Sequence, residues 1–200
     1  MIFPLLFIWG CIGNYYYYNI YNKNFKLSRM SVSATHAVTV ILSYVIGIPG
    51  NILMHVSISY YLIDIVYELM NSLEQNKKIK IYDLGIVLHH VVSIVALTYF
   101  TYLKTEYYLY KAFYLAEISN LPMYLVYHLQ KINYANNYVL KPLIAVEALG
   151  FIILRLIMGG SIFYEMLFEN EIAGIIYILS IIMLIISVVW SQKLIVQLFI

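Results

Sequence analysis

The chain has 200 residues, of which 63% are apolar and 11% charged, against about 25% charged in an ordinary globular domain. With a mean hydropathy of +0.82, this excludes a water-soluble fold. The net charge of +2 offers no electrostatic footprint for nucleic acid, and the single cysteine, Cys11, excludes intrachain disulfides and thiolate metal clusters.

Six or seven spans of about 20 residues fill the chain and leave no extramembrane domain of useful size. Apolar runs broken by charge predict spans near 2–20, 33–49, 51–71, 82–103, 107–130, 141–163 and 172–192. The first lacks the basic n-region of a signal peptide, and its Tyr15–Tyr18 run suits an interfacial aromatic belt, so it is read as a retained helix. Between the second and third spans, Gly47-Ile48-Pro49-Gly50-Asn51 stops one helix and starts another in a tight turn. The predicted fold class is all-α, a polytopic membrane helical bundle of about seven transmembrane helices. Residues 1–27 form an N-terminal helix with a basic loop, and residues 28–200 form one further domain.

Seven spans place alternate connections on opposite sides of the membrane. One side collects Lys23, Lys26, Arg29, Lys77, Lys78, Lys80, Lys131, Lys141 and Lys193; the other holds Lys104 and Lys111 with the acidic connection Glu165, Glu169 and Glu171. The positive-inside rule makes the first side cytosolic, with a lumenal N-terminus and a cytosolic C-terminus.

A charge at the bilayer centre costs at least about 2.5–3.5 kcal/mol, so intramembrane ionisable groups should face the bundle interior. Here they are many: His36, His55, Asp64, Glu68, His89, His90, Glu117, His128, Glu147 and Arg155, with Asp83 at the cytosolic mouth of the fourth span. Steps of three or four residues align Tyr110, Tyr114, Glu117, Asn120, Tyr124 and His128 on one face of the fifth span, and Ser57, Tyr61, Asp64, Glu68 and Asn71 on one face of the third. Ser33, His36, Val40 and Ser43 form a weaker stripe on the second. By rise per residue, His36, Asp64, His89, His90 and His128 fall in the cytosolic half of the membrane, and Glu117 near its middle.

Imidazole beside a carboxylate can act as a general base or as an acyl-accepting nucleophile. Taken singly, His36, His55 and His128 read better as interhelical hydrogen-bonding groups. The pair His89 and His90, with Asp64, Asp83 and Glu117, reads better as functional. A metal needs three or four convergent ligands, which two adjacent histidines of one helix do not provide, so no metal and no resident cofactor are expected. Arg155 admits two readings: a lipid-phosphate ligand, or a structural ion pair with a carboxylate such as Glu117. A glycine-rich phosphate loop and a Gly-x-Ser-x-Gly elbow are both missing. Ion or proton transport lacks the repeats and paired broken helices of transporters.

Several stretches resemble the TLC-domain family, which includes translocating-chain-associated membrane proteins and ceramide synthases. In family order they are Ser31-Val32-Ser33-Ala34-Thr35-His36-Ala37, Ile58-Ser59-Tyr60-Tyr61-Leu62-Ile63-Asp64 and Leu88-His89-His90. Leu115-Ala116-Glu117-Ile118-Ser119-Asn120 before Pro122, Leu154-Arg155-Leu156 and Trp190-Ser191-Gln192-Lys193 follow. The resemblance assigns residues 28–200 to a TLC domain and implies a helical bundle around a tunnel for long hydrocarbon chains, in the endoplasmic reticulum.

For the ceramide synthase branch it implies acyl transfer from a long-chain acyl-coenzyme A co-substrate to a sphingoid base. His89 and His90 would then be catalytic, with Asp64 or Glu117 as orienter. That branch's His-Asp-x-x-Asp stretch corresponds here to Ala116, Glu117 and Asn120, which keeps one carboxylate in kind and replaces the other by an amide. The pattern is more similar to the small TLC-domain proteins, which implies binding or regulation of long-chain membrane lipids through His36, Asn120, Tyr124 and Arg155. The two implied functions are therefore lipid binding or regulation and, as the alternative, N-acyl transfer.

Overall fold

The computed structural model of the protein describes residues 2–74, 81–103, 106–132, 137–166, 168 and 174–199. Lys77, Lys78, Lys80, Lys104, Glu169 and Glu171 lie outside the described residues, as do the side chains of Asn71 and Asp83. Every regular element among the described residues is a helix. The expected all-α class is therefore observed, and the described residues form seven helical rods close to the predicted spans. Two compact units divide the chain, Met1–Glu106 and Tyr107–Ile200.

The first unit opens with α1 (Ile2–Tyr15), which continues into a short π-helical turn, Tyr16–Ile20. Asn22 and Lys23 then take left-handed backbone angles, φ 45° and 64°. The chain reverses there into α2 (Phe25–Val45), whose first turn is capped by Asn24: its side-chain oxygen accepts from the Leu27 amide at 3.2 Å. Helix α2 thus begins eight residues before the predicted span start at 33 and ends four before its predicted end at 49. The reason is chemical. Lys26 and Arg29 read in sequence as loop cations, but capping and an inward-turned Arg29 let the helix form through them. Gly47, with φ 73°, supplies the left-handed turn after α2.

Helix α3 (Gly50–Glu74) packs against α1, α2 and α4 (Ile81–Leu103). Its buried side follows the predicted stripe: Ser57, Tyr61, Asp64 and Glu68 are all buried. The α1–α3 contact is close. Trp9 Nε1 donates to the Val56 carbonyl at 3.2 Å, and Gly13 lies where an added Cβ would meet the Tyr67 hydroxyl, with ring Cζ at 2.9 Å.

The second unit contains α5 (Glu106–Lys131), α6 (Asn137–Phe151), a π-helical segment Ile152–Met158, α7 (Gly159–Met166) and α8 (Gly174–Leu198). From α6 to α7 the helix is continuous. Ala148 and Phe151 form a core with Leu194 of α8, flanked by Trp190 and Leu198. Among the described residues three stretches can cross a membrane by length and apolarity, Gly50–Met70, Tyr138–Met166 and Gly174–Leu198, and Leu84–Tyr99 is a shorter apolar stretch. Large apolar side chains such as Phe3, Phe7, Leu149 and Ile185 point outward, as in a chain whose solvent is lipid. The protein is an integral membrane protein.

Candidate functional site

In the first unit the predicted residues converge at one end of α2, α3 and α4. Arg29 of α2 forks onto Asp64 of α3, with Nε to Oδ1 and Nη2 to Oδ2 both at 2.8 Å. Its Nη1 reaches Glu68 one turn further along α3. The two carboxylates sit four residues apart on one helix face, so a single planar guanidinium can span both. Their side chains are 2% and 7% exposed and that of Arg29 is 16% exposed, so the carboxylates are buried more deeply than the guanidinium that spans them.

His90 of α4 completes the group, with Nδ1 3.2 Å from Asp64 Oδ2. That separation is within ion-pair reach, but the ring is turned off the hydrogen-bond direction, and Nδ1 has no hydrogen-bond partner among the described residues. A small rotation about the side chain would make Asp64 the acceptor for Nδ1–H and leave Nε2 as the basic atom. His89 is also buried, its ring 5.5 Å from that of His90.

Aromatic rings enclose these groups. His36 stacks on Tyr60 with centroids 4.0 Å apart and 12° between planes, and its Nε2 meets Ser57 Oγ at 3.1 Å. Trp9 stands edge-on to both rings. Tyr61 links the two ends of the site, 5.5 Å from the His36 ring and 4.8 Å from that of His90. The Tyr60 hydroxyl donates to Ser33 Oγ at 2.7 Å. Each polar atom named here meets a partner inside an apolar enclosure, as burial demands.

The second unit has its own polar group. Arg155 lies in the π-helical segment and is 6% exposed. Its Nε donates to Ser119 Oγ at 2.7 Å, and Nη2 donates to Asn120 Oδ1 at 2.7 Å and to the Ala116 carbonyl at 3.0 Å. Asn120 in turn donates through Nδ2 to Glu117 Oε2 at 3.3 Å. The guanidinium lies over Phe151 at 4.6 Å. Wider π turns commonly mark sites where a side chain is re-aimed, and this one carries the arginine. Tyr124 is buried on the same face of α5. His55 and His128, by contrast, bond back to carbonyls of their own helices, Asn51 and Tyr124.

A comparison with protein families finds one described as TLC domain, matching residues 47–196. The chain belongs to the TLC-domain family. Asp64, His89, His90, Glu117, Asn120, Tyr124 and Arg155 all fall inside the matched TLC region, while Arg29 and His36 precede it. No curated protein and no solved structure matches the chain. TLC membership places it among lipid-related membrane proteins.

Of the predicted residues, Asp64, His89, His90 and His36 come together in the first unit, and Glu117, Asn120 and Arg155 in the second. Arg29 was not among the site candidates, although it holds the TLC domain's Asp64. Its signal was present in the sequence: Arg29 precedes Ser33, His36 and Val40 by helical steps, so the stripe on α2 extends one turn further than its predicted start. Tyr60 and Ser119 were also overlooked as site residues, because hydroxyl side chains among many tyrosines and serines carry no distinguishing pattern, whereas Ser57 stands in the predicted stripe of the third span.

Proposed function

We propose that this TLC-domain protein binds long-chain lipids in the endoplasmic reticulum membrane, with a lumenal N-terminus and a cytosolic C-terminus, and does not turn them over. The observation that carries this reading is the fork of Arg29 onto Asp64 and Glu68. Both oxygens of Asp64 are engaged by the guanidinium, which makes it a fixed recognition element rather than a group released for proton transfer. Its polar face, ringed by Tyr60, Tyr61 and the histidines, suits a lipid headgroup whose chain follows apolar helix surface. In the second unit, Asn120 replaces the second carboxylate of the acyltransferase pattern, and both ends of its amide are already bonded. His36, Tyr124 and Arg155 serve this reading as further lipid-lining residues.

A second reading, an acyl-coenzyme A-dependent N-acyltransferase acting on a sphingoid base, is favoured by one specific observation. His90 Nδ1 faces Asp64 at 3.2 Å, the arrangement of a base oriented by a carboxylate. In that case His90 Nε2 accepts the amine proton, and His89 lies beside it.

One experiment separates the two. Membranes lacking endogenous ceramide synthases, carrying the native chain or the His89→Ala/His90→Ala variant, receive labelled long-chain acyl-coenzyme A and sphingoid base, and parallel samples receive a photoactivatable long-chain lipid. Lipid cross-linking to the native chain without acyl product supports binding. Product that disappears in the variant establishes the acyltransferase. Neither cross-link nor product from folded, inserted protein overturns both.

A further inference from the structure

Among the buried ionisable groups of the second unit, Glu147 belongs to neither polar group described above. It sits about a third of the way along the apolar stretch Tyr138–Met166 and is 3% exposed. Among the described residues it has no ion pair and no hydrogen bond. Its helix face is otherwise apolar as far as Arg155: Ile144, Ala148 and Phe151 are buried with it. Arg155 is two turns away, about 12 Å along the axis, and is committed to Ser119, Asn120 and Ala116 with Phe151 between. Lys141 and Lys193 are exposed. An ionised carboxylate left alone in such surroundings is strongly unfavourable, so the group carries its proton.

A neutral carboxyl is an unusual recognition element. It donates through O–H and accepts through C=O, and a hydroxyl group does both in return, so the two make a reciprocal pair at no charge cost. Glu147 is also near lipid. Its neighbours Val146 and Leu149 are 56% and 59% exposed on the outer surface of the same helix. A lipid chain lying along that surface, on other faces of the same helix, runs within about 10–12 Å of the carboxyl, one helix diameter. We propose that Glu147 is a protonated intramembrane carboxyl that binds the hydroxyl of an uncharged long-chain lipid. This site is separate from the Arg29–Asp64–His90 group and does not depend on that group binding a headgroup.

The test uses the full-length protein in phospholipid vesicles and an apolar carbodiimide, dicyclohexylcarbodiimide. The reagent takes the carboxyl proton onto nitrogen while the carboxyl oxygen adds to its central carbon; the adduct rearranges to an N-acylurea with no leaving group. It therefore marks protonated carboxyls within the membrane. Peptide mass spectrometry should find the adduct at Glu147 and several-fold less at Asp64 and Glu68, whose carboxyl oxygens Arg29 already engages. The Glu147→Gln variant assigns the signal by losing it, and an unchanged emission of Trp190, which packs on the Ala148, Phe151 and Leu194 core, in a Trp9→Phe background shows that the variant is folded. A long-chain alcohol in the vesicles should lower Glu147 labelling several-fold, and the alkane of equal length should not. An unlabelled Glu147 in the folded native protein overturns the proposal, because the carboxyl is then ionised or sealed. Equal protection by alcohol and alkane, or by neither, also overturns it.

Discussion

Replacing Arg29 by alanine removes the guanidinium bonded to Asp64 and Glu68 and withdraws its charge from two buried carboxylates. Each charge-assisted hydrogen bond of this kind is worth about 1.5–3 kcal/mol, and Arg29 makes three to the two carboxylates. Their sum exceeds the net effect, since the bonds are not additive and one carboxylate can take up a proton. Breaking a buried pair from one side costs about 3–5 kcal/mol, and the 16% exposure of Arg29 favours the lower end. Two tryptophans allow the effect to be localised, because Trp9 lies in the first unit beside His36 and Trp190 in the second. In a Trp190→Phe background, Trp9 emission followed through unfolding in mixed detergent micelles of rising SDS fraction should show Arg29→Ala less stable by about 3 kcal/mol. The triple variant Arg29→Met/Asp64→Leu/Glu68→Leu, which removes every charge of the group, should recover to within about 1–2 kcal/mol of the native protein. A single variant within about 0.5 kcal/mol of native, or a triple variant as unstable as the single, would refute the reasoning.

Three further outcomes follow from packing. Gly13→Ala should weaken the α1–α3 contact by about 1–3 kcal/mol, because the new methyl meets the Tyr67 ring end, and Tyr67→Phe should return part of the loss by removing the hydroxyl; Trp9 emission reads both. Arg155→Lys keeps the charge but cannot reproduce the fork onto Ser119, Asn120 and the Ala116 carbonyl, so the second unit should lose about 1.5–3 kcal/mol, read from Trp190 in a Trp9→Phe background. His36→Phe preserves the stack on Tyr60 and loses the Ser57 bond, costing about 1 kcal/mol, whereas His36→Ala also opens a cavity and should cost about 2–4 kcal/mol. Equal losses for the two His36 variants would show that the stack contributes nothing.

Much of the arrangement follows from periodicity. The stripe Ser57, Tyr61, Asp64 and Glu68 reads as one face because helical steps of three and four are a property of the chain alone, and that face is buried in the folded protein. The same holds for Glu117, Asn120 and Tyr124 on α5. The helical step from Ser33 back to Arg29 was legible, but whether α2 carries it was not, because the cost of taking Arg29 into a helix depends on what neutralises it. Only the fold brings Asp64 within 2.8 Å across 35 residues of sequence.

His36, His55 and His128 show the same division. In sequence they are alike, single histidines in apolar helices. Folded, His55 and His128 bond their own backbone, while His36 stacks on Tyr60 and meets Ser57 of another helix. Composition and helical period by themselves determined that this chain lives in a membrane, that it is all helix, and that His36, Asp64, Glu68, His90 and Glu117 turn inward, since apolar solvent penalises every exposed charge regardless of partner; His55 and His128, expected to turn inward with them, are only half-buried. Which inward group meets which was decided by the tertiary structure, because pairing depends on the register between helices, and register is set by contacts such as Gly13 against Tyr67 and Trp9 against Val56 that no period within one helix encodes.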